Sequence, residues 1–266
     1  METASHCSAR GDYRLAEKCL RQALKFAPNA KGLSPASRPV LWNELGMVCK
    51  YLGKFDKAED YYRQALRDAR LAPENTDRDF FLADLYHNLG GLEHARRRFS
   101  RAEQYARKGL QLRLRCASEN SLAVAADQAA LAAILDGLQR FSESEALYGA
   151  VLRIYRREYG ARHLENAVIL NNLGALCQAT GRVKRGRSYY HAALRIKLCH
   201  LGDDHPDVAV TFNNLALIET SQYRLEHARS LFNRALTILV ESLGRFHPNT
   251  VAVRRNWAWC ADRAKR

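Results

Sequence analysis

Apolar residues return along this chain at three- and four-residue steps, the spacing that keeps them on one face of a helix. Leu225, Ala228, Leu231, Phe232 and Ala235 form one such series. Just before it, Val210, Leu215 and Leu217 predict another helix, ending near Ser221-Gln222. The junctions between paired helices are short, as in Tyr51-Leu52-Gly53-Lys54 and Ala179-Thr180-Gly181-Arg182, so each pair reads as a helical hairpin. The hairpins repeat. An apolar anchor recurs at Leu45, Leu89, Leu131, Leu173, Leu215 and Trp257, in steps of 44 and then 42 residues. A second series keeps the same step: Ala23-Leu24, Ala65-Leu66, Gly109-Leu110, Val151-Leu152, Ala193-Leu194 and Ala235-Leu236. Self-similarity at this period marks a solenoid, in which each unit buries its apolar face only against its neighbours.

Small residues recur where paired helices must meet. Gly46, Gly90, Ala132, Gly174, Ala216 and Ala258 follow the anchors, and Ala16, Ala58, Ala102, Ser144, Gly186 and Ala228 face them from the second helices. Removing bulk at both places lets the axes approach to about 8–9 Å. Inside a helix, Gly109 and Gly186 each cost about 1 kcal/mol relative to Ala, so close approach must outweigh propensity there. Tyr61-Tyr62, Tyr105, Tyr148, Tyr189-Tyr190 and Phe232 then read as an aromatic core stripe.

The small-residue pattern resembles the tetratricopeptide repeat, and its longer period resembles the kinesin light chain type of that repeat. The resemblance is carried by Leu201-Gly202-Asp203-Asp204-His205-Pro206-Asp207-Val208-Ala209, running on to Phe212-Asn213-Asn214-Leu215-Ala216. Leu243-Gly244-Arg245-Phe246-His247-Pro248 matches again, and Tyr159-Gly160-Ala161-Arg162-His163 more loosely. It implies an all-α fold, a right-handed superhelical solenoid of antiparallel helix hairpins. The expected organisation is a single array over residues 1–266, with a partial repeat at 1–30. Full hairpins are expected at 38–72, 80–116, 122–158, 164–200 and 206–242, and a capping helix at 249–266. Residues 1–9, with Ala4 and Cys7 in register, read as the tail of a first helix. Arg254, Arg255, Arg263, Lys265 and Arg266 read as solvating the last one. The heptad coiled coil that precedes the repeats in kinesin light chains has no counterpart here, so a motor subunit is not expected.

The resemblance places the first helix of each hairpin on a concave groove. Beside the anchors stand Asn43-Glu44, His87-Asn88, Ala129-Ala130, Asn171-Asn172, Asn213-Asn214 and Arg255-Asn256. Asn is a mediocre helix former whose amide both donates and accepts, so a recurrent mid-helix row suits the backbone of an extended peptide. Asn residues at these places bind cargo peptides in the resembled family. Asn43, Asn88, Asn171, Asn172, Asn213, Asn214 and Asn256, with Lys50 and Arg255, are therefore the candidate peptide-binding residues. The alternative is a ladder that ties neighbouring repeats together. Ala129, Ala130 and Ala133 interrupt the row with a small apolar gap, fit either for a bulky partner side chain or for tight packing.

Charge enters here. The net charge of +14 favours acidic partners, although arginine outnumbers lysine 32 to 10, as a genome rich in arginine codons would also produce. Lys50, His94, Arg255 and Arg263 near the groove suit an acidic peptide. Nucleic acid is the alternative partner, through Arg96-Arg97-Arg98, Arg153, Arg156-Arg157 and Lys184-Arg185-Arg187. Stacking aromatics are not interleaved with those clusters, which weighs against it. A third reading makes the array the sensor or adaptor portion of a larger signalling protein.

Seven scattered cysteines without a CxxC pair argue against a disulfide framework or zinc knuckle and for a reducing compartment, the cytoplasm. The richest apolar stretch, Leu122–Leu138, is broken by Asp127 and Asp136, and no membrane span is expected. His163, His205 and His247 recur along the array instead of converging, which suits loop and cap packing better than a metal site. GxxxxGK[ST], GxGxxG, GxSxG and HExxH are absent, so no enzyme activity, cofactor or metal is expected. Glu17, Glu59, Glu103 and Glu145 share one repeat position, as structural residues do.

Overall fold

The computed structural model describes residues 13–26 and 37–263, and among these every regular element is an α-helix. The helices are α1 Tyr13–Phe26, α2 Ser37–Tyr51, α3 Phe55–Arg70, α4 Thr76–Ala95, α5 Phe99–Cys116 and α6 Leu122–Gly137. They continue with α7 Phe141–Tyr159, α8 Leu164–Ala179, α9 Val183–Leu201, α10 Pro206–Ser221, α11 Leu225–Leu243 and α12 Pro248–Arg263. The fold is an all-α solenoid of helix hairpins. Two compact units divide it, one up to Arg140 and one from Phe141 onward. Ala4, Cys7, Lys265 and Arg266, and with them the expected helix tail over 1–9, lie outside the described residues.

The hairpins close on a shared turn. In each, the amide after the turn reaches back five residues to a helix carbonyl: Lys54 to Cys49 (2.8 Å), Arg98 to Glu93 (2.8 Å), Arg182 to Cys177 (2.7 Å) and Arg224 to Glu219 (2.9 Å). This is the Schellman closure, and it needs a left-handed residue just past the helix. Gly53 and Gly181 supply it without cost, whereas Arg97, Gln139 and Tyr223 adopt φ of 61°, 62° and 57° against the preference of a residue with a Cβ. At the starts of α8, α10 and α12, His163, His205 and His247 accept at Nδ1 from the amides of Glu165, Asp207 and Asn249 at 3.1–3.3 Å. These histidines satisfy helix-start amides that would otherwise lack partners.

Tyr62, Tyr148, Tyr190 and Phe232 are fully buried, so the aromatic stripe is core. Gly46 and Gly174 lie flat on the rings of Tyr62 and Tyr190, closer than a methyl group could stand. Four carboxylates one repeat apart tie successive second helices to the next hairpin. Glu17 pairs with Lys54 at 2.5 Å, Glu59 with Arg96, Glu103 with Arg140 at 2.6 Å and Glu145 with Arg182 at 2.9 Å. At the next joint Arg187 replaces the acid, and the carboxylate comes from Glu219, 2.5 Å from both Arg187 and Arg224.

Candidate functional site on the first helices

In the first unit α4 touches both α2 and α6, and in the second α10 touches both α8 and α12. Each unit thus has an inner layer of first helices, and the polar residues beside the anchors lie on it.

In the first unit, Asn88 donates through Nδ2 to Oδ1 of the buried Asn43 at 2.9 Å, tying α4 to α2. Lys50 has neither a carboxylate nor a hydrogen bond to its ammonium among the described residues. Its Nζ stands 5.3 Å from the centre of the Tyr51 ring, and burial pushes its pKa down. It reaches across α4 at Gly91, where a Cβ would lie 3.5 Å from Nζ. His94 is pushed down by burial and by the nearby Lys50, against a backbone hydrogen bond at Ala133. Burial raises the carboxyl of Glu44. Ala129, Ala130 and Ala133 are half-buried on α6. A cavity of about 870 Å³ lies elsewhere in this unit, lined by Pro39, Val40, Leu71, Ala72 and Phe81 among others.

The same unit holds a buried ionic cluster. Asp127, 3% exposed, accepts from Arg113 Nε at 2.9 Å and bonds His87 Nδ1 at 2.7 Å. Arg113, itself 3% exposed, also bonds Asp84 and the Phe80 carbonyl, with its guanidinium 4.0 Å from the Phe80 ring centre. Three helices are pinned by this one group of charges.

In the second unit the asparagines form a directed chain. Asn256 donates to Asn213 Oδ1 (3.0 Å), Asn213 to Asn214 Oδ1 (3.3 Å), and Asn214 to Asn171 Oδ1 (3.3 Å). Thr211 Oγ1 lies 3.4 Å from the same Asn171 oxygen and accepts from the buried Lys197 at 3.0 Å. Lys197 also donates to the Asp207 carbonyl at 3.1 Å, and desolvation lowers its pKa against the pull of Asp207. Asn172 is half-buried, and its amide has no hydrogen bond among the described residues. Arg255 is exposed on α12, and the Arg263 guanidinium stands over the rings of Tyr223 and Trp259, 5.6 and 4.7 Å from their centres.

The structure thus joins Asn43 to Asn88, and Asn171 to Asn213, Asn214 and Asn256, while Lys50, Asn172 and Arg255 stand outside those bonds. Sequence reasoning missed the Arg113–Asp127–His87 and Lys197–Thr211–Asn171 clusters. Their signal was there: the members of one lie two repeats after those of the other, and Asp127 interrupts the most apolar helix of the chain.

A family model for the tetratricopeptide repeat matches residues 37–115, 122–198, 165–239 and 207–266. The chain belongs to the tetratricopeptide repeat family. Among solved structures it is similar to BtubC (BKLC) from P. vanneervenii, with 25% identity, a TM-score of 0.63, and coverage of 90% of this chain and 92% of that one. It is also similar to a kinesin light chain type chain of nearly identical TPR-like repeats from Podosopora anserina (16% identity, TM-score 0.57, 79% and 98% covered). A third similar structure is NprR in complex with its cognate peptide NprX (17% identity, TM-score 0.73, 95% and 69% covered). The latter two likenesses concern the fold. No curated protein matches the chain.

Proposed function

We propose that this chain is a protein-interaction scaffold, not an enzyme, whose inner face captures an extended, acidic peptide segment of a partner protein in the cytoplasm. The carrying observation is the asparagine ladder: Asn43, Asn88, Asn171, Asn213, Asn214 and Asn256 each spend part of their hydrogen-bonding capacity on a neighbouring repeat, and an amide with capacity left over suits a ligand backbone. The neighbour NprR, solved with its peptide, supports peptide capture by this fold. The unpaired Lys50 and the exposed Arg255 support an acidic ligand.

The alternative, a nucleic-acid track along the arginine clusters, loses support from the ion pairs. Arg96 is enclosed by Asp56, Glu59 and Glu93, and Arg187 pairs with Glu219. Cations already neutralised within the fold contribute little to phosphate binding.

The test is capture from native lysate at moderate salt by wild type and by Asn171→Ala/Asn213→Ala, followed by calorimetry with synthetic peptides from the captured proteins. Peptides that bind wild type and lose affinity in the double variant sustain the reading. Partners retained by the double variant and released by nuclease would transfer it to nucleic acid.

A further inference from the structure

Three pairs of residues two repeats apart occupy equivalent places: Arg113 and Lys197 on second helices, Asp127 and Thr211 on the next first helices, His87 and Asn171 on the inner face. Both triads are bonded in the same order, from a buried cation through a middle residue to a residue of the face. We propose that Arg113 and Lys197 are positioning residues whose relays fix the hydrogen-bond polarity of the inner face of their own unit, so that His87 in the first unit offers an acceptor and Asn171 in the second offers donors to a peptide segment bound there. The proposal rests on the reading of that face as a peptide site.

The argument follows from what each group is able to do. Arginine and lysine side chains only donate. Arg113 donates to Oδ2 of Asp127, whose other oxygen stands 2.7 Å from His87 Nδ1. Facing a carboxylate oxygen, Nδ1 must carry the hydrogen, which leaves the lone pair of the neutral ring on Nε2. That nitrogen has no partner among the described residues, and the side chain is 36% exposed. In the second unit Lys197 takes a lone pair of the Thr211 hydroxyl and also donates to the Asp207 carbonyl, the other acceptor within reach of that hydroxyl, at 3.2 Å. The hydroxyl hydrogen is shared between that carbonyl and Asn171 Oδ1 at 3.4 Å, on which Asn214 Nδ2 converges as well. With Asn214 donating to its oxygen, Asn171 keeps both amide hydrogens, and they have no partner among the described residues.

The consequence is a difference in what each unit reads. A peptide N–H or a donor side chain fits at His87, and a peptide C=O or a carboxylate fits at Asn171. An extended backbone presents these groups in alternation, so the relays select the register in which a segment lies in each unit.

Side-chain nitrogen NMR reads the relays with no ligand present. At about pH 8, where an ordinary imidazole is neutral, His87 is expected as the Nδ1–H tautomer, and Asp127→Asn is expected to lose that enforcement. An Nε2–H tautomer in the wild type overturns the first relay. The amide hydrogens of Asn171 are expected to exchange with water faster than those of Asn214 and Asn256; equal protection overturns the second. Binding supplies the other arm, using a peptide selected on the wild-type protein from a displayed random library. Thr211→Val is expected to weaken its Kd by about tenfold and to lower the melting temperature, because the buried Lys197 loses an acceptor, and Thr211→Ser to restore both. Equal Kd values for the Val and Ser variants would sink the relay while leaving peptide capture intact. A library that yields no binder would sink peptide capture, and the NMR would still judge the relays.

Discussion

Gly174→Ala is expected to destabilise the second unit although alanine is the better helix former. A Cβ built on Gly174 would meet Cε1, Cδ1 and Cζ of Tyr190 at 2.6, 2.7 and 2.9 Å. Tyr190 is 1% exposed, and its hydroxyl bonds Gln178 at 3.4 Å, so the ring has little room to withdraw. Overpacking of a filled core costs about 1–3 kcal/mol. The gain in helix propensity returns about 1 kcal/mol. The net expectation is a loss of up to about 2 kcal/mol, read as a lower midpoint in urea unfolding followed by circular dichroism. Gly91→Ala is the matched control. Its Cβ meets only the flexible end of Lys50 at 3.5 Å, so propensity dominates and the midpoint rises. Removing the hydroxyl that pins the ring, in Gly174→Ala/Tyr190→Phe, should recover part of the loss, since Phe232 and Ala216 occupy the same two places in the next hairpin. If Gly174→Ala unfolds at or above the wild-type midpoint, the close packing of helix on ring does not constrain this hairpin.

The turn at Gln139 has φ of 62°, so Gln139→Gly is expected to raise stability by about 0.5–1 kcal/mol after the entropy that glycine adds to the unfolded chain, read in the same urea assay. Burial works to raise the pKa of Glu59, yet its bonds to Arg96 and the charges of Arg63, Arg96 and Arg101 bring it below the ordinary 4.5. Its stabilising contribution is therefore complete above 4.5 and lost as the pH falls through the folded value, so wild type and Glu59→Gln should differ at neutral pH and converge in acid. Lys197 has the opposite sign. Desolvation lowers its pKa below the ordinary 10.5, so the unfolded chain binds more protons between the folded value and 10.5, and stability should rise with pH across that window. Lys197→Met should flatten that rise in melting temperature; an unchanged slope would show that the amine is not desolvated.

The repeat and its hairpins were legible in the sequence because their cause is periodic. Anchors such as Leu45 and Leu173 and small residues such as Gly46 and Gly174 recur at one step, and each unit packs only against like units. Burial of Tyr62 and Tyr190 followed from the same spacing. The family was legible too, in the stretch from Leu201 to Ala216, where loop, cap and groove residues stand together. The asparagine row could be found, but its wiring could not. Whether Asn214 turns to Asn171, to Asn213 or to a ligand depends on side-chain geometry across helices 40 or more residues apart in sequence. The ionic joints show the same limit: Glu17, Glu59, Glu103 and Glu145 were visible as a column, while their partners at Lys54, Arg96, Arg140 and Arg182 appear only when the hairpins stack. The buried triads were the least visible. Periodicity reports which residues face inward, because burial is shared by a whole helix face. It does not report which buried polar atom finds which partner, because a hydrogen bond is decided within a few tenths of an ångström by three helices at once. The sequence alone determined the helices, their pairing and their inner layer. The tertiary structure alone decided which polar groups on that layer are already satisfied and which remain free to meet a partner.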